Sequence, residues 1–201
     1  MAGPVPGRWQ QLDALPTEVA REARTKEHQV TSSAQGSGRV LGSLRSAEGK
    51  GVVRMEDRFD TGIDDLWSAP TDPRRLAPWI GDVEGDLRLG GEFRFRFFAS
   101  GSAGPGRVEA CDPPRRLLLT MALGQPEEDV IEATLAAAGG QTVLVWEERG
   151  MPLDLLAAYG AGVQIHVEDL AAYLAGRERV NAAARWNELR PAYEEMAANV
   201  G

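Results

Sequence analysis

The chain has 201 residues, a formal net charge of −8, 43% hydrophobic and 26% charged side chains, and a single cysteine, so its length alone supports a buried core of one domain with appendages. The charge is uneven: residues 1–50 carry seven basic against five acidic side chains, and residues 51–201 carry fifteen against twenty-five. An acidic body repels phosphate backbones and anionic lipid, which argues against nucleic acid and membrane surfaces as partners.

In chain order, residues 8–28 read as a short polar helix interrupted at Pro16, with mainly Trp9, Leu12, Leu15 and Val19 for an apolar face. Residues 31–51 turn to Ser, Gly and isolated charges, a flexible linker composition too poor in apolar groups to offset its ordering entropy. The boundary falls near Lys50, giving a polar leader over 1–50 and a folded domain over 51–201. The alternating VVRMEDRF (52–59) predicts the first strand. Two short helices follow, IDDLWSAP with Asp64 and Asp65 in its first turn and DPRRLAPWI capped by Asp72-Pro73.

A run of strands comes next, at 84–89, 92–99, 106–111, 115–121, 128–136 and 141–149. Gly90-Gly91 reads as a two-residue hairpin turn between the first two of these. In EFRFRF, Phe93, Phe95 and Phe97 share one face, while Arg94 and Arg96, with Arg88, make an outward basic stripe for which cross-strand neighbours such as Glu109 are the expected partners. Short connections predict antiparallel pairing. From Gly162, the spacing of Val163, Val167, Leu170 and Leu174 predicts a long helix with one apolar stripe, ended by Gly176. Residues 182–198 predict a further helix, broken near Pro191. One long amphipathic helix and a continuous sheet face predict an α+β fold, a curved antiparallel sheet of six to seven strands wrapped around that helix.

Several segments resemble the SRPBCC (START-like) superfamily, in the branch named after the activator of the heat-shock-protein-90 ATPase, and among its bacterial single-domain members. They are RMEDRFDTGIDDLWSAPTDPRRLAPWIG (54–81), GDLRLGGEFRFRF (85–97), GRVEACDPPRRLLLT (106–120), GVQIHVEDLAAYLAG (162–176) and RWNELRPAY (185–193). The resemblance spans residues 52–195 and implies the helix-grip fold with a cavity between sheet and long helix. Relatives commonly carry Trp where this chain has Val163, so the smaller side chain is expected to enlarge the cavity or reshape its floor. The superfamily includes lipid carriers, polyketide cyclases and proteins that sequester reactive natural products, while the branch name implies a chaperone partner.

The candidate cavity residues are Trp67, Trp79, Phe93, Phe95, Phe97, Leu119, Met121, Trp146, Glu148, Tyr159, Val163, His166, Val167 and Leu170. Large flat side chains around one helix make either a filled core or a hollow suited to planar apolar ligands. His166, beside the apolar stripe, reads as a polar anchor or proton-transfer group in the pocket or as a helix-flank histidine satisfied by a backbone carbonyl or water; His28 sits solvated in the polar leader. Period two turns Glu148 inward with Leu144 and Trp146, as a ligand or His166 partner or as a rim carboxylate in water. The apolar segment 150–162 reads as a lid or as a homodimer contact. Lone Cys111 reads as a packed thiol.

No GxGxxG, P-loop, G-x-S-x-G or metal-spaced His/Cys cluster occurs, so neither cofactor nor metal is expected. No apolar run reaches the ~20 residues of a membrane helix, and no secretory h-region stands at the start, so cytoplasmic residence is expected. Three functions remain: a carrier of a small hydrophobic molecule, a protein-interaction or chaperone-cofactor module, and a cofactor-independent cyclase or hydrolase using His166 and Glu148.

Overall fold

The computed structural model describes residues 39–126 and 128–200; the helix expected over 8–28 and His28 lie outside them. Eight strands form one antiparallel sheet: β1 (Gly42–Ala47), β2 (Lys50–Phe59), β3 (Gly81–Gly85), β4 (Glu92–Phe97), β5 (Ala103–Asp112), β6 (Arg116–Met121), β7 (Asp129–Ala138) and β8 (Gln141–Met151). Their order is β1-β2-β8-β7-β6-β5-β4-β3. The helices are α1 (Ile63–Thr71), α2 (Pro73–Leu76), the long α3 (Leu156–Leu174) and α4 (Ala182–Ala198), with a 3-10 turn at Leu153–Leu155 before α3. This is the expected helix-grip architecture with one more strand.

The extra strand is β1, inside the segment whose Gly/Ser content reads as a linker. It pairs residue for residue with β2, from Gly42 opposite Met55 to Ala47 opposite Lys50. Edge pairing to an apolar neighbour orders a strand that its own composition does not, because the ladder hydrogen bonds and the shelter of Leu44 come from the rest of the fold. The folded body therefore begins before Lys50.

The predicted hairpin at Gly90-Gly91 also differs. β3 ends at Gly85 opposite Phe93, and residues 86–91 form a wider connection. Asp86 closes it, its side chain accepting the Arg88 N–H at 3.0 Å and its backbone N–H donating to the Glu92 carbonyl at 3.0 Å. The two glycines instead join β5: Gly90 N–H donates to the Val108 carbonyl at 2.8 Å, and Gly91 O accepts the Val108 N–H at 3.0 Å.

The outer sheet face is charged and solvated. Arg116, Glu132, Arg149, Glu147 and Arg45 form a continuous ladder with N···O distances of 2.7, 2.9, 3.0 and 3.3 Å. The Arg116 guanidinium is the main cause holding the Glu132 carboxyl below its usual range. Arg94 and Arg96 of the basic stripe do have cross-strand acidic neighbours, Glu84 and Asp82 in register, while Arg88 grips Asp86 with two hydrogen bonds and Glu109 lies 3.8 Å from Arg107 instead.

α3 packs on β1 and β2 and beneath α4. It begins at Leu156, six residues before Gly162, and within the segment 150–162 Met151, Leu156, Tyr159 and 160–162 are buried while Leu153 and Asp154 are exposed. Gly160 permits close approach rather than a boundary, since a Cβ there would overlap Tyr193 Cδ1 and stand 2.8 Å from Cε1. α4 covers the outer side of α3, which is why Gln164 and Ile165 are buried along with Val163 and Val167. Pro191 does not break α4, which runs unbroken from its Asn181 cap, whose side chain accepts the Ala184 N–H at 3.0 Å.

A buried polar knot fastens these layers. Tyr193 OH donates to Gln164 Oε1 at 2.6 Å, and Leu41 N–H donates to the same oxygen at 3.1 Å. Gln164 Nε2 donates to the Arg39 carbonyl at 2.7 Å and to Glu168 at 2.8 Å, while Arg185 holds Glu168 with two bonds of 2.8 and 2.7 Å. Burial pushes the Tyr193 hydroxyl well above its ordinary pKa.

Candidate ligand cavity

Topology decides where space is left. The chain leaves β2, which pairs with β8, and must reach β3 at the opposite edge of the sheet. α1 and α2 make that crossing over the concave face; α1 packs on β7 and β8, and α2 packs on β3. α3 instead lies along β1 and β2. Between the sheet and the α1–α2 pair remains an apolar cavity of about 60 Å³.

Seven of the expected residues line it: Trp79, Phe93, Phe95, Phe97, Leu119, Met121 and Trp146. The rest of the expected set does not. Trp67, Tyr159, Val163, Val167 and Leu170 are buried core residues off its wall, Val163 being 0% exposed. The hollow expected between sheet and long helix is thus displaced towards the short helices, because α3 sits over the other half of the sheet. Sequence reasoning missed Pro70, Thr71, Leu76 and Ile80 on the helical side, and Val108, Leu117, Ile131 and Ala133 on the sheet. The available signal was the period-two alternation of β5, β6 and β7, which puts these sheet residues on the same face as the phenylalanines.

His166 and Glu148 are buried at 1% and 0% exposure, so Glu148 is not a rim carboxylate in water. Glu148 does point inward as the alternation predicts, between Val53 of β2 and Ile131 of β7 in register. Neither residue is on the cavity wall. His166 lies behind it, its ring edge against Phe97 with centroids 5.0 Å apart.

Arg75 fastens the roof. Its Nη1 donates to the Asp65 carbonyl at 3.1 Å, to Asp65 Oδ1 at 2.6 Å and to Ser68 Oγ, joining α2 to α1. Its Nε donates to Tyr173 OH on α3 at 3.4 Å. The Thr61 hydroxyl and then Arg75 hold the Asp65 carboxyl below its usual pKa. By contrast α1 has no side-chain N-cap and contains Pro70. A short helix with an uncapped start depends on tertiary contacts for its position.

Near the end of α3, Asp169 is 2% exposed and accepts the Val180 N–H at 2.8 Å. Burial is the main cause raising its pKa to about 6, opposed by Arg179 and reinforced by Glu168. Among the described residues no group of acidic, His or Cys side chains has the geometry of a metal site. Burial likewise raises the Cys111 thiol pKa.

The family model described as Activator of Hsp90 ATPase homolog 1-like protein matches residues 60–175, more than half of the chain. The protein belongs to this family. It is of the SRPBCC type, and the match takes in both roof helices, β3 to β8 and α3, while β1, β2 and α4 lie outside it. The crystal structure of CalU16 from Micromonospora echinospora is 25% identical, with a TM-score of 0.64, covering 79% of this chain and 96% of that one. DynU16, described as a protein in the dynemicin biosynthetic locus, is 30% identical with a TM-score of 0.59, over 65% of this chain and 50% of that one. Protein MLL2253 from Mesorhizobium loti is 25% identical with a TM-score of 0.55, over 62% of this chain and 97% of that one. No curated protein matches the chain. Among the described residues no helix is long and apolar enough to cross a membrane.

Proposed function

We propose that this family member is a cytoplasmic binding protein for a small, planar, apolar molecule, held between the sheet and the α1–α2 roof. The observation that carries the reading is the wall: an aromatic and aliphatic lining around a void beneath the α1–α2 pair. A void lined almost wholly by apolar side chains offers water few hydrogen bonds and favours a mainly apolar guest. The likeness to DynU16, described as a protein of the dynemicin biosynthetic locus, supports a guest drawn from small-molecule biosynthesis.

The void of about 60 Å³ is smaller than the ~150 Å³ that holds a benzene ring, so a guest of that size enters with outward displacement of α1 and α2. Burial of guest surface at ~25 cal/mol per Å² supplies the affinity. The roof helices, rather than residues 150–162, are the gate. Six of those thirteen residues are buried, and Leu153 at 42% exposure is their one large exposed apolar side chain, so they offer little apolar surface for a chaperone partner or a second copy. A cyclase or hydrolase acting through His166 and Glu148 would need both at the guest, and both lie off the wall.

Native mass spectrometry of the protein purified from a bacterial host, with displacement of an environment-sensitive dye by added aromatics, tests the reading. A retained small molecule or saturable displacement supports it. A protein that carries nothing and binds no aromatic at millimolar concentration contradicts it.

A further inference from the structure

We propose that the Trp146 indole N–H selects the guest, admitting planar apolar molecules that carry a hydrogen-bond acceptor such as a carbonyl or quinone oxygen. This rests on the cavity reading above and gives the ligand a chemical class.

The wall contains three side chains with polar atoms: Thr71, Trp79 and Trp146. Two have their donors engaged. The Thr71 hydroxyl donates to the Trp67 carbonyl at 2.7 Å, and Trp79 Nε1 donates to the Ala69 carbonyl at 3.2 Å. Trp146 is 6% exposed, and its Nε1 is buried with no hydrogen-bond partner among the described residues. Indole N–H is a donor only, so nothing but an acceptor satisfies it.

A buried donor left unmade is costly, and a buried indole ordinarily finds a partner. A folded chain could have avoided the cost with Phe at this position, since the ring is what packs against Ala133 and Met55 across the ladder. An incoming acceptor recovers the cost on binding, whereas an isosteric hydrocarbon does not. A site built to hydrogen-bond its ligand rejects the analogue lacking that atom far better than a purely apolar pocket does.

Acetophenone and α-methylstyrene test this, because they share shape and planarity and differ by C=O against C=CH2. Their dissociation constants are measured by calorimetry for the wild type and Trp146→Phe. In the wild type the ratio favours acetophenone by about tenfold more than in the variant, the worth of one buried hydrogen bond. In parallel, the assigned Trp146 indole cross-peak of the wild type moves downfield with acetophenone and not with α-methylstyrene. That spectrum decides the question even where Trp146→Phe folds poorly. If both probes bind but the ratio and the cross-peak ignore the carbonyl, the donor role is wrong and the cavity reading stands. If neither probe binds, both fall together.

Discussion

Ala133→Val puts the cavity to a quantitative test. Ala133 lies on β7 opposite Trp146 and lines the void of about 60 Å³. An unfilled apolar cavity costs about 24 cal/mol per Å³, so complete filling is worth at most about 1.4 kcal/mol. Two added methyl groups fill part of the space, and a β-branched side chain suits a strand, so the expected gain is about 1 kcal/mol. For a chain of this size that is a rise in Tm of about 2–4 °C. Urea unfolding should show a higher midpoint at unchanged m-value, and acetophenone affinity should fall at least tenfold. Overpacking a filled interior would instead cost about 1–3 kcal/mol. A loss of that size would refute the void beside Ala133. A gain in stability with unchanged acetophenone binding would place the guest elsewhere.

Gly160→Ala should destabilise by about 1–3 kcal/mol in urea, because the new methyl overlaps the Tyr193 ring, despite about 1 kcal/mol of helix propensity in its favour; equal or greater stability would show that α4 does not seat there. Arg75→Ala should change stability by under about 1 kcal/mol, since the pair with Asp65 is partly exposed, yet speed acetophenone exchange measured by NMR line shape; unaltered exchange would remove α1–α2 as the gate. Asp169→Asn keeps the acceptor for Val180 N–H and removes the charge. Because the folded pKa of about 6 lies above the reference 3.8, the native state holds this proton more tightly, and its stabilisation is complete below 3.8 and lost as pH rises through about 6. The Asn variant should therefore gain up to about 2–3 kcal/mol on the wild type at pH 7 and little at pH 3.5; a pH-independent difference would contradict this.

What local pattern could reveal was the inward set of each strand. Phe93, Phe95 and Phe97 alternate with charged neighbours, and Glu148 follows Leu144 and Trp146 in the same phase, so their burial follows from a period of two. Order imposed from a distance was not legible. β1 is a strand because β2 offers it a ladder, and residues 156–161 are helical because Tyr193, thirty-three positions on from Gly160, packs into the notch that the glycine leaves. The cavity's position depended on pairing order. Only the fact that β2 joins β8 rather than β3 forces α1 and α2 across the concave face, and no spacing within residues 60–80 states this. Hence the wall's strand aromatics were legible, while Pro70, Leu76 and Ile80 in the roof were not.

Crystals of the wild-type protein exposed to xenon pressure examine the void itself, independently of any natural guest. Xenon enters dry apolar cavities without needing polar contacts. Density for xenon enclosed by Leu76, Leu117, Ile131, Ala133 and Trp146 is the expected result. Xenon bound elsewhere in the crystal, with that space filled by side chains or by ordered water, would contradict the account.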